Sequence, residues 1–230
     1  MPTIVDPEFG EITIRSHPSS TRITLKMGPD GRLRASVPRL TPMFAVKAMI
    51  RSSRSEIREL MSDHQTQHAY LNSQSIGKSH SLLVQHTTGN TSIDTAGTSI
   101  VVRLHTSDAV VNREVQMAIR SHVIKALRKE AKSYLPRRLK FLADSYNFSY
   151  ASVKLTHASS RWGSCSSSGT ISLNIALMNL PFELLDYVLI HELAHTREMN
   201  HSAQFWEIVE NIDPDFKSHR ADLKKHTPHI

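Results

Sequence analysis

The run Ile190-His191-Glu192-Leu193-Ala194-His195-Thr196-Arg197-Glu198-Met199-Asn200-His201-Ser202 carries three histidines and a glutamate at spacings that a helix makes useful. On an α-helix, His191 and His195 stand one turn apart and about 40° apart around the axis, so both imidazoles share a face. Glu192 falls on a neighbouring face. This is the H-E-x-x-H arrangement, in which two histidines hold a zinc ion and the glutamate serves as general base toward its water. Histidine is abundant, 14 of 230 residues, and at this chain's own frequencies an accidental H-E-x-x-H arises about 4% of the time. Requiring a further histidine six residues on lowers that to about 0.2%, and His201 meets the requirement. The competing reading is two core histidines on an amphipathic helix.

His201 constrains the local fold. A continuous helix carries it about 9 Å beyond His195 and onto another face. It reaches the same metal only if the helix ends in between, with Asn200 as a left-handed closing residue and Ser202 as the N-cap of a new helix. Zinc proteases with this spacing have glycine at the position held here by Glu198, so the turn is a different one. A downstream carboxylate is the rival third ligand: Glu207, or Glu210 and Asp213 in the run Glu210-Asn211-Ile212-Asp213.

Outward from this run, the pattern is mixed. Ile12 and Ile14, Ile23 and Leu25, and Leu33 and Ala35 alternate as short strands, and Gly28-Pro29-Asp30-Gly31 predicts a hairpin turn between the second and third. Thr41-Pro42 opens a helix through about Met61. Residues 62–79 read as a polar connection. His64 and His68 within it are four apart, but with no third ligand nearby they read as a solvent-facing pair. Strands follow at 82–84 and 100–104 around a Thr-, Ser- and Gly-rich loop or weak hairpin. From Asp108, apolar residues recur every three or four positions to Leu135, where Pro136 is expected to end or kink the helix. A second helical stretch carries Leu139, Phe141, Leu142 and Tyr146. Val153, Leu155 and His157 form a strand, and Ser166–Gly169 turns the chain into a strand from Thr170 to about Ala176. Pro181 starts the metal helix, Asp213-Pro214 starts the last one, and residues 226–230 read as frayed.

These segments divide into a β-rich region with one helix, 1–106, and a second domain, 107–230. Length allows one domain or two small ones with a buried core. No run approaches a membrane span, the start lacks the features of a signal peptide, and Cys165 is alone, so the reading is a cytoplasmic protein. Cys165 reads as a buried thiol. The net charge of +7 invites nucleic acid. Nine Lys or Arg between Arg113 and Lys140, against Glu114 and Glu130, concentrate the excess; a solvated helix face explains the same run.

Arg161-Trp162-Gly163-Ser164-Cys165, Ile171-Ser172-Leu173-Asn174, His191-Glu192-Leu193-Ala194-His195, Asn200-His201-Ser202 and Phe205-Trp206 together resemble the YgjP-like zinc metallopeptidases. The resemblance implies an α+β fold: a β-rich N-terminal region, then a small zincin-like metallopeptidase domain with a long backing helix, a β-sheet and the H-E-x-x-H helix. It matches His191, His195 and His201 to the Zn2+ ligands and Glu192 to the catalytic base. More distantly, the arrangement is similar to that of SprT-like and Wss1-like proteases, which act on proteins attached to DNA.

The expected activity is hydrolysis of peptide bonds by Glu192-assisted attack of a zinc-bound water on a protein or peptide. The alternatives are a DNA-associated protease contacting nucleic acid through residues 113–140, a zinc hydrolase of a non-peptide bond, and a metal-stabilised interaction protein. Tyr187, His157 and Arg161 are candidates for oxyanion stabilisation. Arg161 could equally bind a substrate carboxylate or serve in a structural ion pair, and no residue is assigned to substrate binding. A strand near Arg161–Ala176 is the candidate edge for aligning a substrate chain.

Overall fold

Alternating apolar residues build the first sheet. In the computed structural model, which describes residues 2–18, 20–28, 32–67 and 69–230 with the side chains of 63–67 excepted, β1 (Thr3–Asp6) and β2 (Gly10–Ser16) form a hairpin. β3 (Thr24–Met27) pairs antiparallel with β4 (Leu33–Val37), and β4 runs parallel to β2, giving the order β1-β2-β4-β3. The expected hairpin is therefore present, while the turn residues Pro29–Gly31 lie outside the described residues. β1 escaped notice because only Ile4 and Val5 are apolar in it. Gly10, at φ +71°, occupies the left-handed region that closes the β1–β2 hairpin.

The inward faces of these strands bury Ile4, Ile12, Ile14, Leu33, Ala35 and Val37 together with Val46, Ile50 and Ile57. The last three come from two helices, not the single one expected: α1 (Met43–Ser52) and α2 (Arg54–Gln67). Ser53 breaks the run with φ −102° and ψ 24°, and the Ser52 hydroxyl bonds the Met49 carbonyl, the local competition that serines offer a helix backbone. α2 also occupies the start of the segment expected to be a polar connection. The His64–His68 pair lies outside the described side chains. Arg54 ties α2 to β1, reaching Asp6 at 3.2 Å and Glu8 at 2.7 Å.

The contacts divide the chain into two units, Met1–Tyr70 with Ala109–Met117, and Leu71–Asp108 with Ala118–Ile230. In the second, β5 (Ser75–Ile76), β6 (His80–Thr87), β7 (Ser92–Ala96) and β8 (Ser99–His105) form a sheet of order β5-β6-β8-β7. β6 and β8 are parallel, and β7 and β8 are the hairpin the Thr-rich stretch foreshadowed.

α3 spans Arg113–Ser145, 33 residues, and continues through Pro136. Its start is later than Asp108 because the Asn112 side chain accepts the Glu114 N–H at 2.9 Å. The helix does not end at Pro136. A proline inside a helix costs about 3 kcal/mol, and Leu135, Leu139, Leu142 and Ala143 are all buried around it, each large side chain contributing about 1.5–3 kcal/mol. The chain end is not frayed either: Ile230 is buried and its carbonyl accepts Arg120 Nε at 2.5 Å.

Three strands follow: β9 (Ser152–Thr156), β10 (Gly163–Cys165) and β11 (Thr170–Asn174), in the order β10-β11-β9, with β9 parallel and β10 antiparallel to β11. The expected extension to Ala176 is instead a 3-10 turn, Ile175–Asn179, begun by the Asn174 side chain accepting the Ala176 N–H. α4 (Phe182–Ala194), α5 (Ala203–Glu210) and α6 (Phe216–Leu223) complete the α+β fold. α3 lies beside α4: Arg138 forks onto Asp186 at 2.8 and 2.6 Å, and the Tyr134 and Phe182 rings are 5.7 Å apart.

The start of α4 is fixed by a polar node. Glu130 of α3 accepts the N–H groups of Lys78 and Ser79 at 2.7 and 3.0 Å, the Ser79 hydroxyl at 2.7 Å, and faces His80 Nδ1 at 2.5 Å. From the same turn, the Gly77 N–H donates to Asn179 Oδ1 at 2.9 Å, and Lys78 donates to the Leu180 carbonyl while lying 4.0 Å over the Phe182 ring. No helix among the described residues is long and apolar enough to cross a membrane.

Candidate metal centre

α4 is apolar nearly all round, as a helix enclosed on most sides must be; Leu184, Leu185, Val188, Leu189, Leu193 and Ala194 are buried. Its last turn presents His191 and His195. The helix stops at Ala194, and the Thr196 hydroxyl takes the Leu193 carbonyl at 2.8 Å. No left-handed residue closes it: the non-glycine residues with positive φ among those described are Ser73 and Asn147, so Asn200 does not play the expected part. The turn is organised instead by Glu198, whose carboxylate accepts the Asn200 N–H at 3.2 Å and whose carbonyl accepts His195 Nδ1 at 3.2 Å. Ser202 then caps α5, accepting the Phe205 N–H at 3.3 Å.

The turn brings His201 back to the two helical histidines. His191 Nε2 and His201 Nε2 are 3.1 Å apart, and one ligand nitrogen from each of His191, His195 and His201 lies within 4.8 Å of the others. Two ligands held tetrahedrally around a zinc ion by bonds of 2.0–2.1 Å stand about 3.4 Å apart. Phe205, fully buried, is a common floor, with its ring centroid 4.9, 4.6 and 4.8 Å from the three imidazoles in chain order. Glu207 and Glu210 are exposed, and Glu210 pairs with Lys217 at 3.1 Å. Asp213 holds His219 Nδ1 at 2.8 Å and α6 begins at Phe216, later than the expected Pro214.

The donor set suits a metal. Burial, helped by the His195, His201 and Arg220 charges, pushes the His191 imidazole down to about 3, and burial also lowers His195. Both are therefore neutral at pH 7, the form that ligates. The bond from His195 Nδ1 to the Glu198 carbonyl leaves Nε2 for a metal. Among the described residues, His191 Nδ1 and Glu192 Oε2 are buried with no hydrogen-bond partner.

Glu192 is 5% exposed, and burial pushes its carboxyl up to about 7 against the pull of the Arg161 guanidinium. Edge strand β10 passes so close that a Cβ on Gly163 would lie 2.6 Å from Glu192 Oε1. Gly163 is thus part of the site; in the sequence it stands within the Arg161–Cys165 run that carries the family resemblance, with no role of its own assigned. Cys165, also on β10, is a half-buried free thiol raised by burial and by the Glu192 charge.

Of the other polar candidates, Tyr187 is buried with its ring 6.0 Å from His191. His157 is lowered by desolvation and by the charges of Arg120 and Arg128, which places it toward α3. Arg161 is exposed and near enough to Glu192 for its charge to act there.

Comparison with the curated proteins gave no significant match. Two metallopeptidase zymogens are among the solved structures similar to the chain. The metallopeptidase zymogen abylysin of Pyrococcus abyssi is 30% identical, with a TM-score of 0.36 over 39% of this chain and 92% of its own. The metallopeptidase zymogen jannalysin of Methanocaldococcus jannaschii is 21% identical, with a TM-score of 0.36 over 39% and 93%. The family model described as YgjP-like, metallopeptidase domain, matches residues 21–226. That match takes in most of the chain, from β3 through the histidine-bearing turn to α6, and the protein belongs to the YgjP-like metallopeptidase family.

Proposed function

We propose that the chain is a zinc-dependent peptidase in which His191, His195 and His201 hold the metal and Glu192 is the general base. The observation that carries this reading is the convergence of three imidazole nitrogens within 4.8 Å beside a carboxyl that burial raises to about 7. A bound zinc ion would supply a Lewis acid for the scissile carbonyl and a water acidified toward neutral pH.

The chain's own groups supply the rest. Phe205 and the Glu198 carbonyl fix the imidazoles. Glu192, with a proton affinity near neutrality, takes the proton of the attacking water and returns it to the leaving amine. Edge strand β10 offers main-chain groups along which a substrate strand lies antiparallel or parallel, the logic of strand addition. The substrate is a protein or peptide, and the lone Cys165 fits a reducing, cytoplasmic compartment.

The test is zinc content and peptide hydrolysis measured side by side for the intact protein and Glu192→Gln. Both should hold one zinc, and only the intact protein should cleave. Turnover of esters with no turnover of any peptide would move the assignment to a non-peptide hydrolase.

A DNA-associated protease is the second reading, favoured by Lys125, Arg128, Lys129 and Lys132, exposed at spacings of three and four on α3. Other cations of the run are engaged: Arg120 with Ile230, Arg138 with Asp186 and Lys140 with Asp144. Binding to duplex and single-stranded DNA that weakens steeply with log salt supports it, and flat, weak binding removes it.

A further inference from the structure

Several arginines of the second unit have work within the fold. Arg138 is forked onto Asp186, Arg120 holds the Ile230 carbonyl, and Arg197 donates to the Tyr146 and Asn147 carbonyls. Arg220 of α6 differs. It is exposed, and among the described residues its side chain makes no hydrogen bond and no ion pair. Its guanidinium carbon lies 4.6 Å over the Trp206 ring.

That ring leads directly to the metal centre. Trp206 stacks on His201 with centroids 5.6 Å apart and planes at 20°, and lies 6.0 Å from His191. The guanidinium is thus one aromatic ring away from two of the three converging imidazoles. Of the acids near Arg220 in sequence, Asp213 is held by His219 at 2.8 Å and Asp222 by Lys225 at 2.7 Å, and among the described residues Asp215 makes no ion pair with it. Stacking on an indole holds the planar group in place while leaving its N–H edge free, the geometry that accepts a carboxylate through two parallel bonds. Arg161 brings a second exposed guanidinium near enough to Glu192 for its charge to act there, so the site has positive charge beside it.

We propose that Arg220 is a substrate-binding residue that takes a carboxylate of the peptide on the Trp206 side of the scissile bond, so that acidic peptides are the preferred substrates. The carboxylate comes either from an Asp or Glu side chain beside the bond or from a free C-terminus. The inference rests on the peptidase reading above.

Four fluorescent peptides test it, sharing one core, with Glu or Gln beside the bond and with a free or amidated C-terminus. Their Kd is measured by anisotropy on zinc-loaded Glu192→Gln protein, and their hydrolysis on the intact protein. At least one carboxylate-bearing peptide should bind about tenfold more tightly than the neutral amide. Adding Arg220→Gln should bring that ratio close to one, with the loss appearing in KM more than in kcat, and Arg220→Lys should restore part of it. An advantage kept by the amidated Glu peptide assigns the side chain as the source. An advantage confined to free termini assigns the C-terminus, and either outcome supports the role. Equal binding of all four, or a ratio that survives Arg220→Gln, overturns it. Absence of hydrolysis of every peptide defeats the peptidase reading instead, and the binding ratios then still decide the role of Arg220.

Discussion

Two buried glutamates in the same unit, Glu130 and Glu192, are 8% and 5% exposed, yet their surroundings drive them in opposite directions. Burial alone raises both carboxyls. At Glu130, the N–H groups of Lys78 and Ser79, the Ser79 hydroxyl and His80 outweigh that burial and hold the carboxyl below its ordinary value. At Glu192, burial meets only the charge of Arg161, Oε2 has no hydrogen-bond partner among the described residues, and the carboxyl rises to about 7. A satisfied carboxylate becomes a fixed anchor, here for the turn that pins the start of α4. A carboxylate left short of donors keeps an affinity for protons near neutral pH, which is what a general base requires.

The largest test of this contrast is Glu192→Gln. It removes the proton acceptor while keeping the volume, and peptide hydrolysis should fall about 10²- to 10⁴-fold. Zinc content should remain that of the intact protein, because the imidazoles are untouched. Glu130→Gln should instead leave measurable activity. Loss of zinc in Glu192→Gln would mean that the two glutamates do not differ in the way described.

Gly163→Ala comes next. The new Cβ would meet Glu192 Oε1, Cγ and Cδ at 2.6, 2.8 and 2.9 Å, so the carboxylate must move or β10 must shift. We expect kcat to fall about tenfold, since a misplacement of about 1 Å at a reacting group can cost more than that, with zinc retained and a stability loss of about 1–3 kcal/mol from overpacking. Gly97→Ala is the control: unlike Gly163, that glycine has a positive φ, +62°, so alanine strains the backbone there, but nothing lies within 4 Å of the added Cβ. Equal kcat in Gly163→Ala and Gly97→Ala would break the argument for a close approach.

The difference between the two glutamates also marks what the sequence could disclose. His191, His195 and their shared face follow from helix period alone, and Ser202 announced its cap because capping is local. The strands around Ile12, Leu33 and Val101 were legible from alternation. Glu130 was not: in sequence it is one of two acids in a basic run, and its partners lie about fifty positions away at Lys78–His80. Gly163 likewise gains its role from a carboxylate 29 positions on. Pro136 misled for a related reason, because the burial of Leu135 and Leu139 that overrides its intrinsic effect is tertiary. Asn200 misled because its propensity for a left-handed turn was real but unneeded once Glu198 supplied the closing contacts. The parallel pairings of β2 with β4 and of β6 with β8 have no short-range signature at all.

The smaller effects concern stability. Glu130→Gln keeps the shape of the side chain but removes a charged acceptor from several buried donors, and should destabilise the protein by about 1–3 kcal/mol in denaturant. The pH dependence gives the sign. A carboxyl whose folded value lies below its unfolded value binds protons more weakly in the folded state. Its stabilisation is therefore fully present above the ordinary value of 4.5 and disappears as pH falls through the lowered folded value. The stability lost by Glu130→Gln should accordingly be largest between pH 6 and 7, by this sign rule, and shrink as the solution is acidified below about 4.5. Denaturant midpoints for both proteins across that range would read it directly. A gap between them that holds constant down to about pH 3 would show that the Glu130 node acts through shape and packing rather than charge, and the contrast with Glu192 would then rest on the metal centre alone.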